Sequence, residues 1–433
     1  MKQLRCAVAI IGGGAAGIAA AISAARAGKD VCLIERSERL GGSGTNAIVG
    51  TICGLSRCGA SAQTPAKFDN PGFAKEFAAQ VATRSSSHLM MNARGLTYLP
   101  YLPNEFEAVS QEILLVHKNI TQLLRTTLQG VTRNSLRDTF TLCVKDANSL
   151  TQEITTDAIV DCSGNATALT MLGLATTEPK PIQAAALVFQ LGGLPSLDEN
   201  TLAFAIRKTL REGALRGELP ETLTYVSIVP GSLQSGCAYF NYGLAGPNAL
   251  GDPLADNLAI AAIERSTHHH IATVTQFLQE RSEIFSNVQC IAVAPSLGIR
   301  SGRRGIGSLT LSEQSVRLSE RFIDGIALGF WPAEIWNTPV RPEVIFPEAG
   351  CAYEIPLGAL CSQECPGVYF AGRCLSASDY AIASARVIGT CFSTGYAAGR
   401  IAVGFLRGET PQAIVAEIRA YQVEPFYRST AYN

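Results

Sequence analysis

Residues 6–35, CAVAIIGGGAAGIAAAISAARAGKDVCLIE, decide the fold. Cys6 to Ile11 is a short apolar run without charge, and Gly12-Gly13-Gly14-Ala15-Ala16-Gly17 follows at once. An alanine-rich segment of helical length comes next, and Asp30 to Glu35 is a second apolar run ending in a carboxylate. The order reads as strand, glycine turn, helix, strand.

Each glycine has its own duty. Gly12 permits the tight turn out of the first strand, Gly14 lets a pyrophosphate approach backbone N–H groups at the helix N-terminus, and Gly17 lets the helix pack closely on the sheet. Glu35 lies 18 residues beyond Gly17, where a carboxylate accepts hydrogen bonds from both hydroxyls of an adenosine ribose and repels a 2′-phosphate. A lone GxGxxG says little. Strand, helix and acid in register make it a dinucleotide signal.

Length and composition bound the rest. The 433 residues allow two to three domains, and 47% hydrophobic residues with 16% charged and 40 glycines describe a glycine-rich α/β protein. Lys+Arg 35 against Asp+Glu 36 leaves a formal charge of -1, so no basic surplus argues for nucleic acid. Lys2 and Arg5 ahead of an apolar run imitate a leader peptide, but cleaving that run would remove the nucleotide site. No apolar stretch reaches the roughly 18–20 residues of a membrane span. The 13 cysteines are odd in number and scattered through apolar segments, which points to reduced, buried thiols in a cytoplasmic compartment.

After Glu35 come Arg36, a short loop and Gly41-Gly42-Ser43-Gly44-Thr45-Asn46. This resembles flavoproteins of the glutathione-reductase type, in which an acid, a short loop and a Gly-Gly pair pass under the adenosine and pyrophosphate. The resemblance moves the cofactor from NAD to FAD. Ala158-Ile-Val-Asp-Cys-Ser163-Gly164-Asn165 is similar to the strand that returns beside the adenosine in those proteins. Three later stretches resemble the bacterial FAD-dependent oxidoreductases: Leu297 to Gly307 with Arg300, Arg303 and Arg304; Ala352 to Leu357; and Gly367 to Ser378 followed by Ala383 to Thr390. The resemblance covers residues 6–60, 110–175 and 290–402. Many relatives place an acid after Gly372, whereas this chain has Arg373.

The implied FAD contacts are Gly12, Gly14, Ala15, Ala16, Gly17, Glu35, Arg36, Gly42, Ser43, Thr45, Ser163, Gly164, Gly372, Arg373, Gly389 and Thr390. A helix starting near Ala383 would aim its positive end at the flavin pyrimidine and raise the flavin's potential. Arg303 and Arg304 are adjacent, so on a strand one faces the flavin side and the other away. One of them, or Arg300, either grips a substrate carboxylate with its bidentate fork or makes interdomain salt bridges. Tyr353 is the candidate side chain above the isoalloxazine.

The fold class expected is α/β: a glutathione-reductase-type FAD domain with a parallel sheet, and an inserted α+β substrate domain. Residues 1–60, 105–175 and 346–433 form the discontinuous FAD domain, 61–104 a helical excursion, and 176–345 the substrate or cap domain. Phe73, Phe77 and Val81 stand at helical spacing, Tyr98 to Pro103 reads as a link, Asn104 as a helix cap, and Glu112 to His117 as a strand. A hairpin is expected at Phe140–Val144 and Glu153–Ile154, cap strands at 184–191, 223–229 and 237–242, and helix over 253–285.

Cys53 and Cys58 form a CxxxxC pair, either a redox disulfide or a buried pair; Cys53 falls eleven residues after Gly42, where disulfide reductases space the first cysteine two after the Gly-Gly pair. His268, His269 and His270 point about 100° apart on a helix and do not converge on one metal ion. No metal is expected. No second dinucleotide motif and no CxxCxxC run is present, so electrons leave to oxygen, a quinone or a partner protein.

The function expected is FAD-dependent dehydrogenation of a small polar, anionic substrate by hydride transfer to flavin N5. The alternatives are a flavin-dependent reductase or monooxygenase fed by a separate reductase, and an electron-carrying flavoprotein subunit docked through the aromatic tail from Tyr421 to Tyr432. The partners expected are a small-molecule substrate, an external electron acceptor or reductase, and a second copy in a homo-oligomer.

Overall fold

Strand β1 (Gln3–Ile11) runs parallel between β2 (Val31–Ile34) and the long strand Thr151–Asp161 in the computed structural model, which describes residues 3–58, 66–244, 257–347 and 352–430. β2 pairs in parallel with Ile120–Leu123 on its far side. The first strands read as continuous apolar runs because both faces are covered. Val8 and Ile10 pack into the core that holds α1 (Ala15–Arg26), while Ala9 and Ile11 pack with Leu128, Leu142 and Val144 on the other face.

Thr151–Asp161 has two neighbours along one edge. Its first half pairs antiparallel with Thr139–Lys145, the inner arm of a hairpin with Thr127–Asn134. Its end, Ile159–Asp161, pairs in parallel with Val368–Phe370, which returns from late in the chain. The expected hairpin is therefore present, and its second arm continues into the strand that ends at the Ser163-Gly164 turn.

Helix Ile388–Leu406 lies against α1 at a distance set by missing side chains. A Cβ on Gly395 would stand 2.1 Å from the Ala16 carbonyl oxygen, and one on Gly399 2.2 Å from that of Ala20. Backbone meets backbone there. α2 (Phe73–Arg84) and α3 (Pro103–Leu115) close the other side, Phe73, Phe77 and Phe106 meeting Phe392.

The cap is an antiparallel sheet in the order Val226–Ile228, Ala238–Gly243, Ala186–Gly192, Gln289–Val293. Helices Glu199–Leu215 and Asn257–Arg281 cover one face, burying Leu187, Phe189, Leu191 and Phe240 with Leu202, Ile206, Val274 and Leu278. Val188, Asn241 and Ser227 are lateral partners on the opposite face, because side chains alternate along a strand. That face looks toward the first domain.

Several expectations are corrected. Glu112 to His117 is not a strand: α3 runs from Pro103 to Leu115, burying Phe106, Val109, Ile113 and Leu114 along one stripe. Its cap is Leu102 with Pro103 in the first turn, so Asn104 does not cap it. Thr97–Pro100 is a strand paired with Thr51–Cys53 and Met90–Met91, so 61–104 is not purely helical. The cap boundary at 345 splits a hairpin, since Gly325–Gly329 pairs with Tyr353–Pro356 and both enter the main core. Residues 61–65 of the expected excursion, 253–256 of the expected helix and 431–432 of the aromatic tail lie outside the described residues. Among the described residues, no helix is long and apolar enough to cross a membrane.

The glycine contact sets a clear expectation. Gly399→Val lowers the thermal unfolding midpoint by about 1–3 °C, because overpacking against rigid backbone costs on the order of 1–3 kcal/mol and a chain of this length has a large unfolding entropy. Gly130→Val is the control, its Cβ meeting nothing within 4 Å. Equal midpoints for the two variants would contradict the packing.

Candidate functional site

The C-terminal ends of β1, β2 and Thr151–Asp161 open onto three adjoining chambers. A central one of about 290 Å³ lies between Gly12, Gly14, Gly42, Ser43, Ser163 and Ile388. An outer one of about 530 Å³ continues past Glu35 and Arg36 to Thr126–Gln129, and an inner one of about 430 Å³ lies under the cap sheet at Val188, Ser227 and Asn241. Ile299 and Arg373 border all three. This is the crevice at the carboxyl ends of a parallel sheet where nucleotides bind.

The glycine loop is built as its spacing implies. Gly12 has φ +99°, and a Cβ there would lie 2.6 Å from the Cys162 carbonyl oxygen; a Cβ on Gly17 would lie 1.8 Å from that of Gly12. Gly17 therefore packs helix on strand and does not line the cavity. Gly14 differs: the nearest protein atom to an added Cβ is Gly42 Cα at 3.8 Å, so the space before α1 is kept open. No side chain caps α1 at Gly14, which leaves its first N–H groups and positive dipole end for an anion.

Glu35 is fixed from three sides. Its carboxylate accepts from Gly13 N at 2.6 Å and from the Ser37 amide and hydroxyl, each at 2.8 Å, while still lining the cavity. The Gly41-Gly42 turn is tied to the loop by Gly41 N donating to Gly13 O at 2.8 Å. Thr45 corrects an expectation: it is fully buried and donates to Leu40 O at 2.6 Å, so it holds the turn and touches no ligand space. Buried Asp161 accepts from Ser163 N at 3.0 Å and Ala168 N at 2.7 Å, which shapes the Ser163-Gly164 turn.

At the inner end the expected single helix near Ala383 is two helices. Asp379–Ala385, capped by Ser378, stops at Arg386, and Ile388–Leu406 begins after an extended Val387 that offers no cap. The second helix, through Ile388 and Cys391, meets the central chamber. Gly389 packs on the Cys53 carbonyl instead of lining the chamber, and Thr390 Oγ1 is buried without a hydrogen-bond partner. The uncapped helix start suits the polar edge of a flavin, whereas Thr390, fully buried, lines none of the three chambers and is no ligand contact.

Three arginines stand where the central and inner chambers meet. Arg373 donates to the carbonyls of Gly164, at 3.3 Å, and Ile299, joining first domain to cap segment. Arg300 lies 3.9 Å over the Trp336 ring and donates to Ala184 O. Arg386 donates to Gln183 Oε1 at 3.3 Å and Glu334 O at 3.1 Å. Burial pushes the pKa of all three down; Arg386 adds repulsion at Arg300, and Glu334 opposes it.

Of the four expected catalytic residues, only Arg300 reaches the inner chamber. Arg303 lines the outer one and pairs with Glu178 at 3.3 Å. Arg304 faces the other way, buried, with Asp379 at 2.9 Å. Tyr353 does not stand above any ring: it is fully buried in the main core and its hydroxyl shares a hydrogen bond with Ser384 Oγ at 2.7 Å. Four residues escaped the sequence reading: Arg386, Glu334, Trp331 and Trp336 all line the inner chamber. The chain has only 2 tryptophans, and that scarcity was a usable signal.

Cys53 and Cys58 are free thiols, and burial pushes both upward in pKa, Cys58 to about 12. A redox nucleophile needs the opposite shift. His268 and His269 are exposed, and His270 Nδ1 lies 3.3 Å from the Tyr242 hydroxyl.

Gly14 separates cofactor binding from folding. Gly14→Val should leave apoprotein stability within about 1 kcal/mol while lowering bound FAD at least about tenfold, because its side chain enters ligand space and not protein. FAD content and unfolding midpoint of the purified variant decide it; undiminished FAD would contradict the site.

No curated protein sequence matches this chain. Among solved structures it is similar to the anhydrotetracycline hydroxylase OxyS from Streptomyces rimosus, at 11% identity over 96% of this chain and 65% of that one, TM-score 0.48. It is also similar to a geranylgeranyl bacteriochlorophyll reductase-like protein from Thermoplasma acidophilum, at 11% identity over 97% and 83%, TM-score 0.45. A third is the myxobacterial chondrochloren halogenase CndH, at 12% over 96% and 78%, TM-score 0.44. Likeness at this level says nothing about substrate. The sequence pattern of the family described as FAD dependent oxidoreductase matches residues 7–424, nearly the whole chain. The chain belongs to that family, a family of flavoprotein oxidoreductases, and its cofactor is FAD.

Proposed function

We propose that the flavin of this enzyme is charged by a separate reductase and acts on a flat, largely apolar substrate under the cap in one of two ways: its two electrons go to O2, one oxygen atom entering the substrate as a hydroxyl and the other leaving as water, or they pass as hydride, with a proton, to a C=C bond of the substrate. One observation carries the reading. Tyr98, Val188, Ile228, Trp331, Trp336 and Val344 surround the inner chamber, and its described lining includes no histidine or lysine and one carboxylate, Glu334.

Dehydrogenation at a C–OH or C–N bond needs a proton acceptor beside the reacting carbon. Glu334 accepts from Trp331 Nε1 at 3.2 Å and lies near Arg386. Burial raises the pKa of Tyr98 and Cys53, so neither is an anionic base near neutrality. The lining suits shape and aromatic contact better than proton removal.

FAD when bound supplies the redox chemistry of its ring. The chain would hold its ribose at Glu35, its phosphates at Gly12–Gly14 and Gly41–Ser43, and its ring near Ile388. The uncapped helix start and Arg386 favour negative charge on that ring. The cap sheet excludes water, and the tryptophans orient the substrate. We read the first domain as glutathione-reductase-type, because Thr151–Asp161 joins a parallel sheet to an antiparallel hairpin and takes the late strand Val368–Phe370.

Dehydrogenation of a small anionic substrate, with Glu334 as base, is the second reading; the arginines favour it. Flavin absorbance under anaerobic conditions separates the two. The first expects no bleaching by hydroxy acids, amino acids, amines or sugars, and bleaching by NAD(P)H with an added flavin reductase. Bleaching by one substrate pool alone would overturn it in favour of the second.

A further inference from the structure

We infer that the inner chamber selects its substrate by a carboxylate carried on an aromatic ring, and that Arg300 and Arg386 read that carboxylate. The inference rests on the chamber being the substrate site, as proposed above, and deepens it by naming what is bound.

Charge comes first. Arg94, Arg300, Arg373 and Arg386 line this space against one carboxylate, Glu334. Arg373 is committed to two backbone carbonyls, and Arg94 lies at the exposed rim. Arg300 and Arg386 remain, neither with a carboxylate hydrogen-bonded to its guanidinium among the described residues. Arg386 Nε has no acceptor among the described residues.

Geometry comes second. Gln183 and Ala184 organise both arginines from one short segment. Gln183 Oε1 accepts from Arg386 and, at 3.2 Å, from Trp336 N; Ala184 O accepts from Arg300, and Ala184 N donates to Trp336 O at 2.9 Å. Trp336 in turn carries the Arg300 guanidinium 3.9 Å over its ring, which holds that group in place from one side. Gln183 itself is buried and held by Ser301 Oγ at 2.9 Å. Planar, pre-set forks recognise planar carboxylates in bidentate fashion, which a lysine point charge does not. An anion beside Arg300 also offsets the repulsion from Arg386, which adds to burial in pushing the pKa of Arg300 down. The aromatic half of the preference follows from Tyr98, Trp331 and Trp336 in the same lining.

Binding tests this without turnover. Both tryptophans line the chamber, so intrinsic fluorescence of the FAD-loaded protein reports its occupancy. The probes are naphthalene-2-carboxylate and its neutral amide. The carboxylate should bind at least about tenfold tighter than the amide. In Arg386→Met and in Arg300→Met that preference should fall to about twofold or less, with FAD content and amide affinity retained. Gln183→Leu, a positioning variant, should weaken the carboxylate without affecting the amide. If Arg386→Met loses FAD, Arg300→Met alone decides. Equal affinity for the two probes in the unmodified protein, or a preference that survives both arginine variants, overturns the clamp and leaves the aromatic chamber standing. Binding of neither probe overturns the clamp and the chamber together.

Discussion

The structure depends on the contact between Gly17 and the carbonyl of Gly12, where no side chain of any size fits. It seats α1 on β1 so that the helix begins at the mouth of the sheet with its N–H groups toward the crevice. The contacts of Gly395 and Gly399 on Ala16 and Ala20 then seat Ile388–Leu406 on α1. Two helix starts are thereby fixed along one cavity, one suited to phosphates and one to a flavin edge. Position follows from backbone approach, and chemistry follows from position.

The inner end of the cavity is costly in isolation. Three part-buried arginines line it, and burial lowers their pKa values, with repulsion from Arg386 adding at Arg300 and from Arg373 adding at Arg386. Backbone carbonyls, a tryptophan face and Glu334 offset part of that cost. Such a site is held by the folded cap and first domain jointly, since Gln183, Ala184 and Ile299 come from the cap segment and Gly164 and Arg386 from the first domain. Buried charge that packing alone does not require is where function is expected to reside.

The dinucleotide half of the molecule was legible because its signals are local. Gly12, Gly14, Gly17 and Glu35 stand within one βαβ unit: Gly12 and Gly17 meet backbone closely as their spacing implies, and Gly14 and Glu35 line the crevice. The substrate half was not legible, because Trp331, Glu334, Trp336 and Arg386 converge only when a cap sheet folds over the first domain. Tyr353 misled for the same reason: an aromatic residue in a strand near the site can face the core or the cavity, and Gly329 on the paired strand leaves room for its ring on the core side. The helix break at Val387 was hidden because its neighbour Arg386 finds its partners, Gln183 and Glu334, far away in sequence. Thr45 shows the reverse error, a polar residue in a binding loop that serves only the loop.

A crystal structure of the FAD-loaded protein tests the account most directly. The account expects the adenosine ribose at Glu35, the phosphates before Gly14 and the flavin ring at the start of Ile388–Leu406, one face open to Val188 and Asn241 of the cap sheet. A flavin ring lodged in the outer chamber beside Thr126–Gln129, with the inner chamber closed off from it, would contradict the account.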